Sequence, residues 1–255
     1  MLRSILLSVV IALSMLCIFT ACKTEQMAEQ REIIKIRVAT DPTWPPMEFI
    51  DADRNLVGFD IDMFNAIAKE GGFEVEFVNQ MWDGIFAGLD EGKYDAVISA
   101  VAITDERKQT MDFSIPYVNC GQVIVVKKYN NSITELSDLE GKKVGVQMST
   151  TGALEVGKYK NIILKEYDEF GFAIEDLAKD KIDAAVCDYD IAADYVLHNQ
   201  NYKSLLKMTG DVFTTEYYGV AVKKGNTAIL DLINTGLKKV QEKGINKELE
   251  KKWLR

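Results

Sequence analysis

Alternation of apolar and polar positions predicts most of the elements of this chain. Residues 33–39 (IIKIRVA) alternate and form a strand. The segment 40–46 (TDPTWPP) cannot extend it, because its three Pro remove donors and fix the backbone in a loop. Asp60 is placed to cap a helix that carries Ile61, Phe64 and Ile67 on one face and stops at Gly71 and Gly72. Residues 73–78 (FEVEFV) alternate strictly, 82–89 read as helix, 95–99 as strand, and 104–107 open a helical turn. After an apolar run at 121–126, strands at 143–147, 162–167 and 183–187 alternate with helices at 152 onward, 170–178 and 191–197. A strand at 217–222, an amphipathic helix at 229–243 and a short helix carrying Trp253 complete the chain.

Strands that alternate with helices argue for an α/β class with mostly parallel sheets. The order strand, loop, helix, strand, helix, strand occurs twice, from residue 33 and from residue 143. An echo marks the third strand of each copy: LDEGKYDAVISA at 89–100 and LAKDKIDAAVCD at 177–188. The expected organisation is therefore two similar α/β lobes. One comprises 33–120 with 214–255 and the other 121–213, joined by a hinge of two crossings near 115–121 and 212–219.

Composition narrows the function. The formal charge of −9, with Lys and Arg spread among the acids, excludes the basic face that nucleic acid requires. The first 21 residues differ from the rest: a short basic start, then an apolar run at 5–19, shorter than the roughly 20 residues of a membrane-spanning helix. They read as an export signal. Cys22 follows at once, as in the lipobox of bacterial lipoproteins, which it resembles except that Phe19 stands where Leu is usual. A plain soluble export signal is the alternative; on the lipoprotein reading, Cys22 carries lipid and 22–32 is a polar tether. Cys120 and Cys187 either pair or stay as two buried thiols. Without a CxxC or Cys/His spacing, neither a metal nor a cofactor is expected. His198, late in a helix beside Asn199, reads as solvated or capping, and no catalytic residue is assigned.

In open α/β sheets, ligands bind beyond the carboxyl ends of strands. Those ends carry Asp41 and Trp44, then Trp82, then Ser99, Ala100, Ala102 and Arg107, and in the second lobe Thr150, Thr151 and Asp188. Facing lobes would pool them in one cleft. An Arg with nearby N–H donors suits a carboxylate, an acceptor-only Asp suits an ammonium group, and flat aromatic walls suit a long polar or cationic side chain. The set thus fits a free amino acid. Trp82 fits the core face of its helix as well as a pocket wall. Asp188 can also cap the helix after it, and Asp41 can also order its own turn.

Six stretches make a family resemblance specific: ATDPTWPPMEF, LVGFDIDMFNAIAKE, KYDAVISAVAITDERKQTMDFSIPY, LEGKKVGVQMSTTGALE, KIDAAVCDYDIAADYV and YYGVAVKKG. Together they resemble the polar-amino-acid-binding family of bacterial extracytoplasmic solute-binding proteins, receptors of ABC importers, with a type II periplasmic-binding-protein fold. The resemblance covers nearly the whole chain after the leader. It implies that Arg107 clamps the ligand carboxylate and Thr151 donates to it. Asp188 receives the α-ammonium, and Ser99 and Ala100 contribute backbone. Trp44 and Trp82 wall the side chain, and Asp41 stands near its far end. Ala102 departs from the pattern, because many members have Thr or Ser there; one hydroxyl donor is missing. The implied protein is an exported monomer at the periplasm or cell surface. It is anchored through Cys22 and delivers arginine, lysine or glutamine to the membrane subunits of an ABC transporter. A cyclohexadienyl dehydratase-like enzyme on the same fold is the alternative function.

Overall fold

The computed structural model describes residues 33–254. The leader, the tether and Cys22 lie outside the described residues. Among the described residues, twelve of the fifteen strands and eight α-helices build the two main sheets, their covering helices and the crossings between them. The strands are β1 (Lys35–Thr40), β2 (Glu74–Asn79), β3 (Ala96–Val97), β4 (Met111–Phe113), β5 (Val118–Cys120), β6 (Gln122–Lys127), β7 (Lys143–Gln147), β8 (Ile163–Tyr167), β9 (Ala184–Asp188), β10 (Leu206–Thr209), β11 (Glu216–Tyr218) and β12 (Ala221–Lys223). The helices are α1 (Phe59–Gly71), α2 (Ile85–Asp90), α3 (Arg107–Thr110), α4 (Thr151–Gly157), α5 (Phe170–Ala178), α6 (Tyr189–Ala193), α7 (Thr227–Glu242) and α8 (Ile245–Trp253).

Two five-stranded sheets organise two α/β lobes, in the orders β2-β1-β3-β12-β4 and β8-β7-β9-β6-β10. Each is half parallel and half antiparallel, rather than mostly parallel. β1 pairs parallel with β2 and β3, and β7 with β8 and β9. The remaining strands are antiparallel because they belong to chain that crosses between the lobes and enters each sheet from the opposite end. The crossings pair with each other as β5 and β11, which sets Cys120 opposite Glu216 and Val118 opposite Tyr218.

The repeated segment makes the same join in both sheets. The N–H of Asp95 donates to the carbonyl of Arg37, and an Asp95 carboxylate oxygen accepts the N–H of Arg37 at 2.9 Å. The N–H of Asp183 likewise donates to the carbonyl of Lys143, and its carboxylate accepts the N–H of Lys143 at 2.8 Å. Each Asp thus fixes the start of the third strand against the start of the first. Tyr94 and Ile182, one residue earlier, are both buried.

Helix α1 buries Phe59, Ile61, Met63, Phe64 and Ile67 on its apolar stripe and stops where Gly72 adopts the left-handed conformation that closes a helix without strain. Helix α7 returns the end of the chain to this helix through Ile233, Leu237 and Val240. The approach is close at Gly236, where a Cβ would lie 2.2 Å from the carbonyl oxygen of Ile67. Trp253 on α8 donates from Nε1 to Asp62 on α1 at 2.8 Å. Asp60 departs from its expected capping role. Gly58 is the N-cap, and Asp60 lies wholly buried in the first turn.

Candidate functional site

The ends of β1, β3, β7 and β9 converge on a narrow cavity lined by Asp41, Trp44, Trp82, Ser99, Ala100, Ala102, Arg107, Gln147, Thr150, Thr151 and Asp188. All ten residues expected to contact ligand are on this lining. Gln147, at the end of β7, is the addition.

Arg107 opens α3 and is partly buried. Its guanidinium donates from Nη1 to the carbonyl of Ala102 at 2.8 Å and from Nη2 to that of Ser149 at 3.2 Å. It stacks 5.4 Å from the ring centroid of Trp82 and 5.1 Å from that of Phe86. These contacts fix the plane of the fork before any ligand arrives. Burial lowers its pKa, and Asp188 and Glu216 oppose that effect, so it remains a cation.

Asp188 ends β9 and faces the same cavity. It is buried, and its Oδ1 accepts Nε2 of Gln122 at 2.9 Å. Gln122, wholly buried on β6, also donates to Oγ1 of Thr151 at 3.1 Å, which ties the two ligand-facing ends of this lobe together. Burial, followed by the nearby Glu216 carboxylate, pushes the Asp188 carboxyl up to about 7. Thr150 caps α4 by accepting the N–H of Ala153 at 3.2 Å.

Asp41 is already engaged. Its Oδ1 accepts the Thr43 hydroxyl at 2.9 Å and its Oδ2 the N–H of Trp82 at 2.8 Å. It orders its own turn and anchors the Trp82 loop, which precedes α2 instead of starting it. Each of its oxygens keeps a further lone pair for a ligand donor. Trp44 meets Phe170 of the other lobe edge-on at 5.6 Å. Ala100 has φ of 46°, a left-handed backbone that a non-glycine residue adopts at a cost of about 1–2 kcal/mol. Its N–H donates to Oδ2 of Asp60 at 2.7 Å and is therefore not open to a ligand.

Cys120 and Cys187 are both buried and free. The Cys120 sulfur and carboxylate oxygens of Asp188 and Glu216 lie within 4.8 Å of one another. The donor types suit a borderline cation. Burial, however, raises the Cys120 thiol well above its ordinary range, whereas a metal needs the thiolate. Hinge pairing builds this grouping, and no sequence spacing announced it.

Gln147, Gln122, Phe86 and Phe170 escaped the sequence reading. Gln122 and Gln147 are polar residues inside apolar strand runs, and that break in pattern was the available signal. Phe86 and Phe170 are indistinguishable in sequence from core residues on helices.

Residues 36–255 match the bacterial extracellular solute-binding proteins, family 3. The chain belongs to this family. Its two lobes and paired crossings have the type II periplasmic-binding-protein fold, and as a family 3 protein it is a solute-binding protein and not an enzyme. It is similar to a probable histidine-binding protein of Neisseria gonorrhoeae, 40% identical over 212 residues that cover 82% of this chain and 78% of that one. It is also similar to the L-cystine-binding protein TcyJ of Escherichia coli strain K12, 35% identical over 219 residues, 85% of this chain and 81% of that one. Among solved structures, an ancestral arginine-binding protein bound to arginine superposes with a TM-score of 0.82 at 43% identity, covering 87% of this chain and 98% of that one.

Proposed function

We propose that the protein is an extracytoplasmic receptor that closes its two lobes over one amino acid and passes it to the membrane subunits of an ABC transporter. The observation that carries this reading is that Arg107 and Asp188, from different lobes, line one cavity. They are a cation and an anion set to meet the two poles of an amino acid. In this reading Arg107 clamps the carboxylate with Thr151 as a second donor, and Asp188 receives the ammonium. Ser99 and Ala100 contribute wall and carbonyl rather than the Ala100 N–H. Ala102 adds no hydroxyl, so the clamp rests more heavily on Arg107. Trp44 and Trp82 wall the side chain.

Charge selects among ligands. Arg107 and Asp188 neutralise the amino-acid head, which leaves Asp41 as the remaining charge on the lining. A cationic side chain therefore fits best, arginine or lysine before glutamine. Names of relatives include histidine and cystine as well as arginine, so these belong in the test. Titration calorimetry with L-arginine, L-lysine, L-glutamine, L-histidine and L-cystine will show tightest binding for a basic member. No heat with any amino acid would sink the receptor reading. The protein acts as a monomer, with 33–120 and 214–255 forming one lobe and 121–213 the other. Cys22 anchors it to the membrane, which incorporation of labelled palmitate that disappears in Cys22→Ala would test.

A further inference from the structure

Beneath the cavity floor lie two carboxyl groups that ligand binding does not use. Glu48 and Asp60 are both wholly buried. Oε1 of Glu48 accepts the Ser99 hydroxyl at 2.6 Å, and Ser99 Oγ accepts the N–H of Asp41 at 3.1 Å. Oδ2 of Asp60 accepts the Ala100 N–H at 2.7 Å and the Tyr117 hydroxyl at 3.0 Å. The other oxygens, Oε2 of Glu48 and Oδ1 of Asp60, are buried without a hydrogen-bond partner. The two carboxyl groups are close enough to act on each other's charge. A carboxyl–carboxyl hydrogen bond requires a proton, because two carboxylates have only acceptors. The titratable groups that act on the pair are Asp41 and Tyr117, with Cys120 beyond Tyr117; none is a cation. Two buried like charges without a counter-ion cannot both persist.

We infer that Glu48 and Asp60 share one proton and that the resulting singly charged pair positions Ser99 and Ala100 at the floor of the ligand cavity. One carboxyl grips the side chain of Ser99. The other grips the backbone N–H of Ala100 and holds that residue in its left-handed conformation. The bridge between them makes the two grips a single clamp, and Tyr117 extends it to the crossing segment of the hinge. Burial raises both acids, Glu48 well above its ordinary carboxyl value and Asp60 to about 7. Acids raised on folding hold protons that the unfolded chain has released, so their stabilising effect is lost as pH rises through the folded values. The role in ligand affinity rests on the receptor reading above; the shared proton does not.

The test separates these. In ligand-free protein, Glu48→Gln, whose amide donates permanently to Asp60, gains melting temperature relative to wild type as pH rises from about 4, where the unfolded acids ionise, through about 7. Asp60→Asn does the same from the other side. The double variant E48Q/D60N places donor against donor and melts lower than the two single changes add up to. A pH slope in E48Q equal to that of wild type, or an additive double variant, overturns the shared proton. For positioning, Glu48→Ala weakens L-arginine binding at least tenfold and Glu48→Gln restores it to within about twofold; equal loss in both overturns the clamp. Absence of L-arginine binding by wild type would count against the proposed ligand alone, since the melting experiments contain none.

Discussion

The guanidinium of Arg107 donates across the cleft to the carbonyl of Ser149, 3.2 Å away on the facing lobe. A second donor is held by Ala102 at 2.8 Å within its own lobe, so the group that meets the ligand also joins the lobes. Arg107→Ala removes both functions and abolishes amino-acid binding while the circular dichroism spectrum stays native. Arg107→Lys keeps the charge but loses the fork and its stacking on Trp82 and Phe86. A charge-assisted bond contributes about 1.5–3 kcal/mol, so affinity by calorimetry falls about tenfold to a hundredfold. Undiminished affinity in either variant refutes the assignment.

Asp188 links binding to protons. Its carboxyl titrates at about 7 in the ligand-free protein because it is buried beside Glu216, and an ammonium ligand requires the ionised form. Affinity therefore rises with pH up to about 7 and then levels. Near pH 6, binding releases a proton that is no longer released at pH 8. Calorimetry in buffers of different ionisation enthalpy reads this directly, and equal proton release at both pH values would exclude it. The linkage runs the other way for the empty protein. An acid raised on folding binds more protons native than unfolded between about 4 and 7, so its contribution to stability declines as pH rises through that window.

Trp44 reaches Phe170 across the cleft at 5.6 Å. Edge-to-face pairs contribute about 0.5–1.5 kcal/mol beyond burial. Trp44→Leu keeps an apolar side chain but loses the ring, and it weakens ligand affinity about twofold to tenfold. Its signature in small-angle scattering is a larger radius of gyration with ligand than wild type shows. An unchanged radius would place Trp44 in the wall alone.

Gly236 tests the return of the chain end to α1. A methyl group there would stand 2.2 Å from the Ile67 carbonyl, so the helices must separate. Gly236→Ala destabilises by about 1–3 kcal/mol as an overpacking change, despite the higher helix propensity of Ala. Each kcal/mol lowers Tm by about 2–4 °C in a chain of this size. A raised Tm would show that the helix contact yields freely.

Much of this was legible in the sequence, because strand alternation and helix stripes are local. The α/β class, the doubled order of elements and the gathering of polar residues at strand ends all followed from pattern. What was not legible depends on contacts between distant segments. Asp60 looked like a cap because an acid at a helix start usually is one, yet Gly58 takes that place and Asp60 turns inward to Ala100 and Tyr117. The bond from the Ala100 N–H to Asp60 joins residues forty positions apart, which no local pattern displays. Trp82 is preceded by no visible link to Asp41, forty-one residues away, so its role as a tethered loop residue was hidden. Gln122 joins Thr151 to Asp188 only because β6 lies antiparallel to β9, an arrangement set by the hinge crossing.

The matched joins at Asp95 and Asp183 divide labour within each lobe. Each acts as a latch on the first strand, and five residues further on stands the residue that faces the cavity, Ala100 in one lobe and Asp188 in the other. A latch that holds register keeps those later positions on the correct face, since a slip of one residue would turn them away. The chemistry at the tips can therefore be rewritten without disturbing the latches. That makes the pair a modular handle for retuning which amino acid the protein retains.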